Sequence, residues 1–307
     1  MISSRLKQNF KNEFARSPSA KVGLALVALT LAVVIFAPVL ATRDPTGQNI
    51  MQGQIPPSLA HPLGTDNLGR DVFSRVLYGA RVSVLVGIFA VSISLCIGVT
   101  LGIVSGFFGG RVDDLIMRAT DTMMTIPGLI IAIAIFGILG PQQVRIPDPF
   151  VALGITPEMP AEFVLPGTVI FALGVTGWTR FARIARGEAL TLREEEYVLS
   201  SRAMGAGSAH MMRKHILPNS LTPIMVLGTI RIANAILSES SLAFLGFSGA
   251  TISWGLDIAF GRQYLASAWW VPVFPGVAIV LTIIGINLLG DLARDAIDPN
   301  VSEEDRV

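Results

Sequence analysis

The side chains able to act as base, nucleophile or metal ligand are few: His61, His210 and His215, the single cysteine Cys96, and the four lysines Lys7, Lys11, Lys21 and Lys214. No lysine stands in the G-x-x-x-x-G-K-[ST] pattern that cradles nucleotide phosphates, so ATP hydrolysis is not read in this polypeptide. Cys96 lies in an apolar run with no partner for a disulfide or a C-x-x-C site, which reads as a packed core thiol. His210 and His215 have no Asp, Ser or Cys at a spacing that supports a triad, so they read as contacts and not as catalytic bases. His61, Asp66 and Asp71 share one loop but lack recognised metal-ligand spacing; a turn leading into a helix over 72–78 is the plainer reading.

The residue that most needs a positioning element is Arg231. It stands in an apolar run over 221–245, about ten residues in, near mid-bilayer at about 1.5 Å per residue. An arginine at that depth costs about 2.5 to 3.5 kcal/mol, so it must face protein or water and not lipid. At about 100° per residue, Asn234, Ser238 and Ser241 share its side, and Glu239 falls on the opposite flank. Two readings stand. Arg231, Asn234, Ser238 and Glu239 belong to a wetted translocation path, or they form a buried polar patch or Arg–Glu pair that joins two subunits.

A chain of 307 residues that is 51% hydrophobic and 15% charged, with mean hydropathy +0.61, has more apolar side chains than a soluble domain can bury, so it is an integral membrane protein. Apolar stretches over 22–41, 82–108, 115–139, 164–185, 221–245 and 271–289 predict about six spans of about 20 residues. The first is too long for a cleavable signal core and reads as a retained span. Before it, Leu6, Phe10 and Phe14 recur every four residues among Arg5, Lys7, Lys11 and Arg16, which suits a short helix on an anionic inner leaflet. The net charge of +1 conceals an uneven distribution. Basic residues crowd the start of the chain and the loop with Arg180, Arg183, Arg186, Arg193, Arg202, Arg213 and Lys214, so those regions are expected to be cytoplasmic. The prolines and glycines of 42–81 are then external, as are the proline-bearing loop 141–166 and the connection that ends in Trp269 and Trp270, two rings suited to the headgroup layer. Loop 141–166 could be a lid, a contact for an external protein or a tolerated insertion.

Between the fourth and fifth stretches lies EYVLSSRAMGAGSAHMMRKHILPN, residues 196–219. Residues 188–204 are strong helix formers, Gly205 and Gly207 interrupt them, and 208–217 can resume a short helix before Pro218. On its own this is a docking helix or an ordinary solvated hairpin. Its wording, Glu196-Tyr197, Arg202-Ala203, Gly205-Ala206 and His215-Ile216-Leu217-Pro218-Asn219, resembles the loop by which membrane subunits of ABC importers engage their ATPases. Ser200 and Ser201 stand where paired alanines are usual. The blocks His61-Pro62-Leu63-Gly64-Thr65-Asp66, Gly69-Arg70-Asp71, Ser74-Arg75, Gly79-Ala80-Arg81 and Asn287 to Asp291 are similar to those of the dipeptide, oligopeptide and nickel branch, in its dipeptide permease C-type subunits. Loop 141–166 is longer than that branch usually carries.

The resemblance implies an all-α integral membrane protein with about six transmembrane helices, both termini cytoplasmic, and the type I ABC importer permease fold. The expected division is a cytoplasmic amphipathic segment 1–21, a first span 22–41, an external loop with an interfacial helix 42–81, a core permease domain 82–292 with a coupling loop 187–220, and a cytoplasmic tail 293–307 stopped by Pro299. Coupling is expected at Glu196, Tyr197, Ser200, Ser201, Arg202, Ala203, Gly205, Ala206, His215, Leu217 and Pro218. The resemblance further implies a non-catalytic subunit that binds no cofactor, with ATP and Mg on two ABC ATPase partners. It adds a second homologous permease, an external substrate-binding protein and membrane lipid as partners, and no nucleic acid. The cargo would be di- or oligopeptides moved by alternating access, or nickel or another small solute. A channel, a secondary carrier and a membrane-embedded hydrolase are the rival classes; the last lacks histidines inside the spans.

Overall fold

The first helix starts where its capping chemistry dictates. Ser17 Oγ accepts from the Ala20 N–H at 3.2 Å, and Pro18 occupies the first helical position, where its missing N–H costs nothing. In the computed structural model, which describes Phe14 and residues 17–295, α1 then runs over Pro18–Leu40. The expected surface helix around Leu6 and Phe10 and the stop at Pro299 lie outside the described residues. The remaining helices are α2 (Val72–Phe108), α3 (Gly110–Thr125), α4 (Gly128–Leu139), the four-residue α5 (Pro149–Ala152), α6 (Gly167–Leu192), α7 (Glu196–Ala203), α8 (Ser208–Met211), α9 (Leu217–Phe244), α10 (Trp254–Gly261) and α11 (Trp270–Asp295).

Among the described residues, four helices are long and apolar enough to cross a membrane, Pro18–Leu40, Val72–Phe108, Ser208–Phe244 and Trp270–Asp295, or five if α3 and α4 count as one span. Six were expected. The remaining candidate, α6, has 26 residues, but Arg180, Arg183 and Arg186 in its second half dilute its apolar character. The expected span over 115–139 is not straight either: α3 and α4 meet at 90°. Pro127 causes the break, because it lacks a donor and forces Ile126 into extended backbone, ψ 129°.

The separate interfacial helix expected at 72–78 is absent; α2 is continuous for 37 residues, about 55 Å at 1.5 Å per residue, well beyond a hydrocarbon core of about 30 Å. Asp71 caps it, accepting from the Ser74 N–H at 2.9 Å. Gly79, just past the expected helix, is a packing device and not a breaker, since a Cβ there would lie 2.9 Å from Trp254 Cδ1.

α2 is the central post. Along one face Gly98, Gly102 and Gly106 meet Ala182, Ala185 and Ala189 of α6 so closely that a Cβ on Gly102 would lie 2.3 Å from the Ala182 carbonyl oxygen. Further along, Gly177 of α6 takes Ser94 of α2 in the same way, and Ser94 Oγ donates to the Gly174 carbonyl at 2.8 Å. Small residues at every fourth position let two helices touch backbone to backbone, the usual source of adhesion where hydrophobicity cannot drive association. α1 and α11 pair by the same means, Gly23 against Leu288 and Gly285 against Leu26, with the Thr30 and Thr282 hydroxyls 3.2 Å apart. Cys96 lies on the exposed side of α2 and not in the core as its apolar setting implied.

Loop 141–166 carries the only strands among the described residues, which the all-α expectation missed. β1 (Gln143–Pro147) and β2 (Glu162–Pro166) form an antiparallel hairpin with Gln143 opposite Pro166 and Pro147 opposite Glu162. It is fastened to the bundle: Asp148 is buried in an ion pair with Arg81 of α2, and Gln143 Nε2 donates to the Gly249 carbonyl at 2.8 Å. At the same end, residues 42–71 fold against α10 and α11. Arg75 Nε donates to Asp257 Oδ1 at 2.9 Å, and Trp270 Nε1 donates to the Thr65 carbonyl at 3.0 Å. Trp270 is thus a buried tie between α11 and this segment, whereas Trp269 stays exposed.

Candidate functional site

Two features stand out, and one pair of helices connects them. The first is the segment between α6 and α9. The run of helix formers from 188 to 204 is not one helix. α6 ends at Leu192 and α7 begins at Glu196, because Glu194, Glu195 and Glu196 are unfavourable at the negative C-terminal end of a helix and favourable at the start of the next. Arg193 closes the break by donating to the Gly106 carbonyl at the end of α2, 2.9 Å.

α7 ends at Gly205 in a left-handed turn. The Gly205 N–H donates to the Arg202 carbonyl at 3.0 Å and the Ala206 N–H to the Ser201 carbonyl at 3.1 Å, with Gly205 at φ +87°. That double bond pattern closes the last turn of a helix and requires a residue that tolerates positive φ. Space is not the constraint, since a Cβ on Gly205 would meet nothing within 4 Å.

Past Gly207 the chain was expected to form a short helix ended by Pro218. Instead α8, a π turn over Met212–Ile216 and α9 run on as one 37-residue rod, Ser208–Phe244. Pro218 sits at the first turn of α9, and just before it the Leu217 N–H reaches back five residues to the Met212 carbonyl. A proline has no N–H to lose there, so the rod absorbs it by widening one turn.

Val198, Met211 and Ile216 are buried against Phe107 of α2, Phe181 and Ala185 of α6 and Ile224 of α9. The loop is therefore seated on three helices. Its outer face carries Glu196, Tyr197, Ser200, Arg202, Ala203, Gly205 and Pro218, with Ala206, His215 and Leu217 half-buried and Ser201 turned inward. Sequence reasoning overlooked Leu199 and Met204, which are 41% and 82% exposed and add apolar area beside Tyr197 at 42%. Tyr197, Val198 and Leu199 are apolar in a row, so the sequence carried no signal of which of them faces outward. Tyr197 and Asn219 fix the two ends of the segment to each other: Asn219 Nδ2 donates to the Tyr197 hydroxyl at 3.3 Å and to the His215 carbonyl at 2.5 Å, and the Tyr197 and His215 rings lie 5.7 Å apart.

The second feature is a cavity of about 380 Å³ between α2, the α3–α4 break, α6 and α9. Arg231, Asn234 and Ser238 line it together, as their helical spacing required. Arg180 of α6 and Met123, Met124 and Pro127 at the broken helix complete much of the wall. The proline in mid-stretch was the legible sign that the third span contributes a break here. Glu239 is not on this wall. It is 1% exposed on the other flank of α9, where its Oε2 accepts from Ser83 Oγ at 3.0 Å and Ser240 Oγ at 3.3 Å, so the alternative of an Arg231–Glu239 pair is absent within the chain. His61 is also a structural contact here, buried with Nδ1 3.0 Å from Asp71 Oδ1 beneath the start of α2.

A seated loop, a broken helix and a polar cavity between α6 and α9 are parts of a transport subunit, and known proteins place it. Residues 98–303 match the family described as binding-protein-dependent transport system inner membrane component. The chain belongs to that family. Residues 5–57 of the permease also match the N-terminal TM domain of oligopeptide transport permease C. The permease is 38% identical over 285 residues to the probable D,D-dipeptide transport system permease of Escherichia coli, covering 92% of this chain and 88% of that one. It is 36% identical to the dipeptide transport system permease of Alkalihalophilus pseudofirmus, covering 96% and 90%, and 36% identical to the oligopeptide transport system permease of Bacillus subtilis, covering 94% and 88%. Among solved structures, a chain of the inward-facing MetNI methionine ABC transporter superposes with TM-score 0.53 at 18% identity, over 73% of the permease and 97% of that chain, which establishes the type I fold. The protein is thus a multi-pass permease subunit of an ABC importer in the inner membrane.

Proposed function

We propose that the permease carries di- or oligopeptides inward by alternating access, as one of two homologous membrane subunits driven by two ATPase subunits and fed by an external substrate-binding protein. ATP and Mg act on the ATPases and not on this chain. The peptide assignment rests on relatives named for dipeptide and oligopeptide transport along nearly the whole length. The basic loop and both termini face the cytoplasm, and residues 42–71 with the hairpin face outward.

The observation that carries this reading is that the helices holding the loop are also the cavity walls. α6 brings Thr176 and Arg180 to the cavity and α9 brings Arg231, Asn234 and Ser238, while their facing ends clamp Val198, Met211 and Ile216. From Ile216 to Arg231 is about 22 Å along one rod at 1.5 Å per residue. A close-packed element transmits displacement because its interior has no slack. When the ATPases close, Tyr197, Leu199 and Met204, held in an ATPase groove, move with them, and α6 and α9 shift as walls around the cargo.

Disulfide trapping tests the docking. With Cys96 replaced, Met204→Cys should cross-link to a cysteine in the groove of the ATPase subunit in an ATP-sensitive manner, and Leu153→Cys on the far end should not. A complex that transports normally yet never traps at position 204 would remove the loop from the interface.

A further inference from the structure

The cavity has a charge that nothing among the described residues balances. Its lining includes two arginines, Arg180 and Arg231, and no acidic residue. Among the described residues neither guanidinium has a hydrogen bond or ion pair, and the charged neighbour that acts on Arg231 is Arg180, a like charge. Every other arginine of the bundle interior is answered: Arg75 by Asp257, Arg81 by Asp148, Arg186 by Asp113. Two facing cations in a partly enclosed space cost free energy unless an anion visits.

The fold keeps room for this arrangement. A Cβ on Gly177 would stand 3.5 Å from an Arg231 guanidinium nitrogen, so the Arg231 head lies in contact range of α6 at that position. The break at Pro127 adds donors to the same wall. α4 starts at Gly128 without a side-chain cap, and Gly128 and Leu129 both line the cavity. A half-helix that begins inside a membrane bundle offers its positive end and free N–H groups to a negative ligand.

We propose that this cavity is a carboxylate seat: Arg231 and Arg180, backed by the N-terminus of α4, hold the terminal carboxylate of the cargo during passage. The proposal rests on the transport reading above and adds which end of a peptide the permease grips. Asn234 lies one turn from Arg231, with its amide nitrogen donating to the Ile230 carbonyl at 3.0 Å and its oxygen left to receive an N–H from the cargo.

The test is chemical protection in the fully assembled transporter in proteoliposomes without nucleotide. Phenylglyoxal modifies exposed arginines, and peptide mass spectrometry reads Arg231 and Arg180 separately. Alanyl-alanine with a free carboxylate should slow modification of both by about tenfold at saturation, and the same dipeptide as its C-terminal amide should not. Acetate should protect at higher concentration, because the shared chemistry is the carboxylate. Protection by phosphate and not by either carboxylate would overturn the assignment, as would equal protection by acid and amide. Resistance of Arg231 to the reagent in the assembled complex whatever is added would also overturn it, by showing that a partner subunit supplies the anion. In uptake assays Arg231→Gln should lower entry of the free dipeptide by about tenfold or more, with Arg231→Lys recovering part of it. Wild-type complex that takes up no dipeptide, but whose Arg231 acetate protects, would fault the peptide reading and leave the seat standing.

Discussion

Gly205 allows the coupling loop to be perturbed without touching the membrane body. Gly205→Ala places a methyl group where nothing lies within 4 Å, so no contact is broken and no neighbour displaced. What it meets is its own backbone, because φ is +87°. Left-handed backbone costs an L-residue about 1 to 2 kcal/mol. The loss of unfolded-chain freedom returns about 0.4 to 1 kcal/mol, which leaves about 1 kcal/mol against the native turn and about a fivefold fall in its occupancy. Gly207→Ala is the matched control. Gly207 also has nothing within 4 Å of a Cβ but sits at φ −71° and ψ 154°, where alanine is at ease, so the small loss of a helix-capping glycine and the gain in chain stiffness nearly cancel. The assay is titration of the purified ATPase subunit onto the two-permease complex, with melting temperature measured in parallel. Gly205→Ala should need about five times more ATPase for half-saturation, with melting little changed, and Gly207→Ala should match wild type. Equal binding by the two variants would refute the argument that the turn at Gly205 shapes the docking face.

Gly102→Ala puts a Cβ 2.3 Å from the Ala182 carbonyl oxygen and must push α2 and α6 apart by roughly 1 Å, so thermal unfolding in detergent should show a loss of about 1 to 3 kcal/mol. Asp257→Ala strands the buried Arg75 guanidinium and should cost about 3 to 5 kcal/mol by the same assay, whereas the exposed Arg145–Glu162 pair of the hairpin should be removable for less than about 1 kcal/mol. Topology is tested by cysteine labelling of intact cells in a background without Cys96. Leu59→Cys, fully exposed, should react with an impermeant thiol reagent from outside and Arg213→Cys should not, whereas a cysteine at the buried His61 would report nothing.

The sequence was most readable where a local rule had no competitor. The 3.6-residue period puts Arg231, Asn234 and Ser238 on one wall and the turn through Asp71 leads into a helix at residue 72, whereas the first span was placed from residue 22 and its capped start at Ser17-Pro18 was not read. It was least readable where tertiary contacts decide. Helix formers at 193–195 give way to a break because an acidic run suits a helix start, and Pro218 is carried inside a rod by a π turn that no propensity encodes. The hairpin at 143–166 was hidden because its strands are short and proline-ended and are anchored from a distance by Arg81. Arg180 was read only as a topological charge, since its meeting with Arg231 depends on how α6 packs against α9.

The central claim is that this chain is the membrane path of an ATP-driven peptide importer and that the loop around Gly205 conveys the drive. The most direct measurement is uptake of a radiolabelled dipeptide by proteoliposomes that contain this permease, its homologous partner and the ATPase subunits, with the binding protein supplied on the substrate side. Accumulation that requires both ATP and the binding protein, and that falls in Gly205→Ala while the unstimulated hydrolysis of the isolated ATPase is unchanged, is the predicted result. Dipeptide equilibration without ATP, or full ATP-driven uptake by a permease whose residues 196–206 are replaced by a flexible linker, would contradict it.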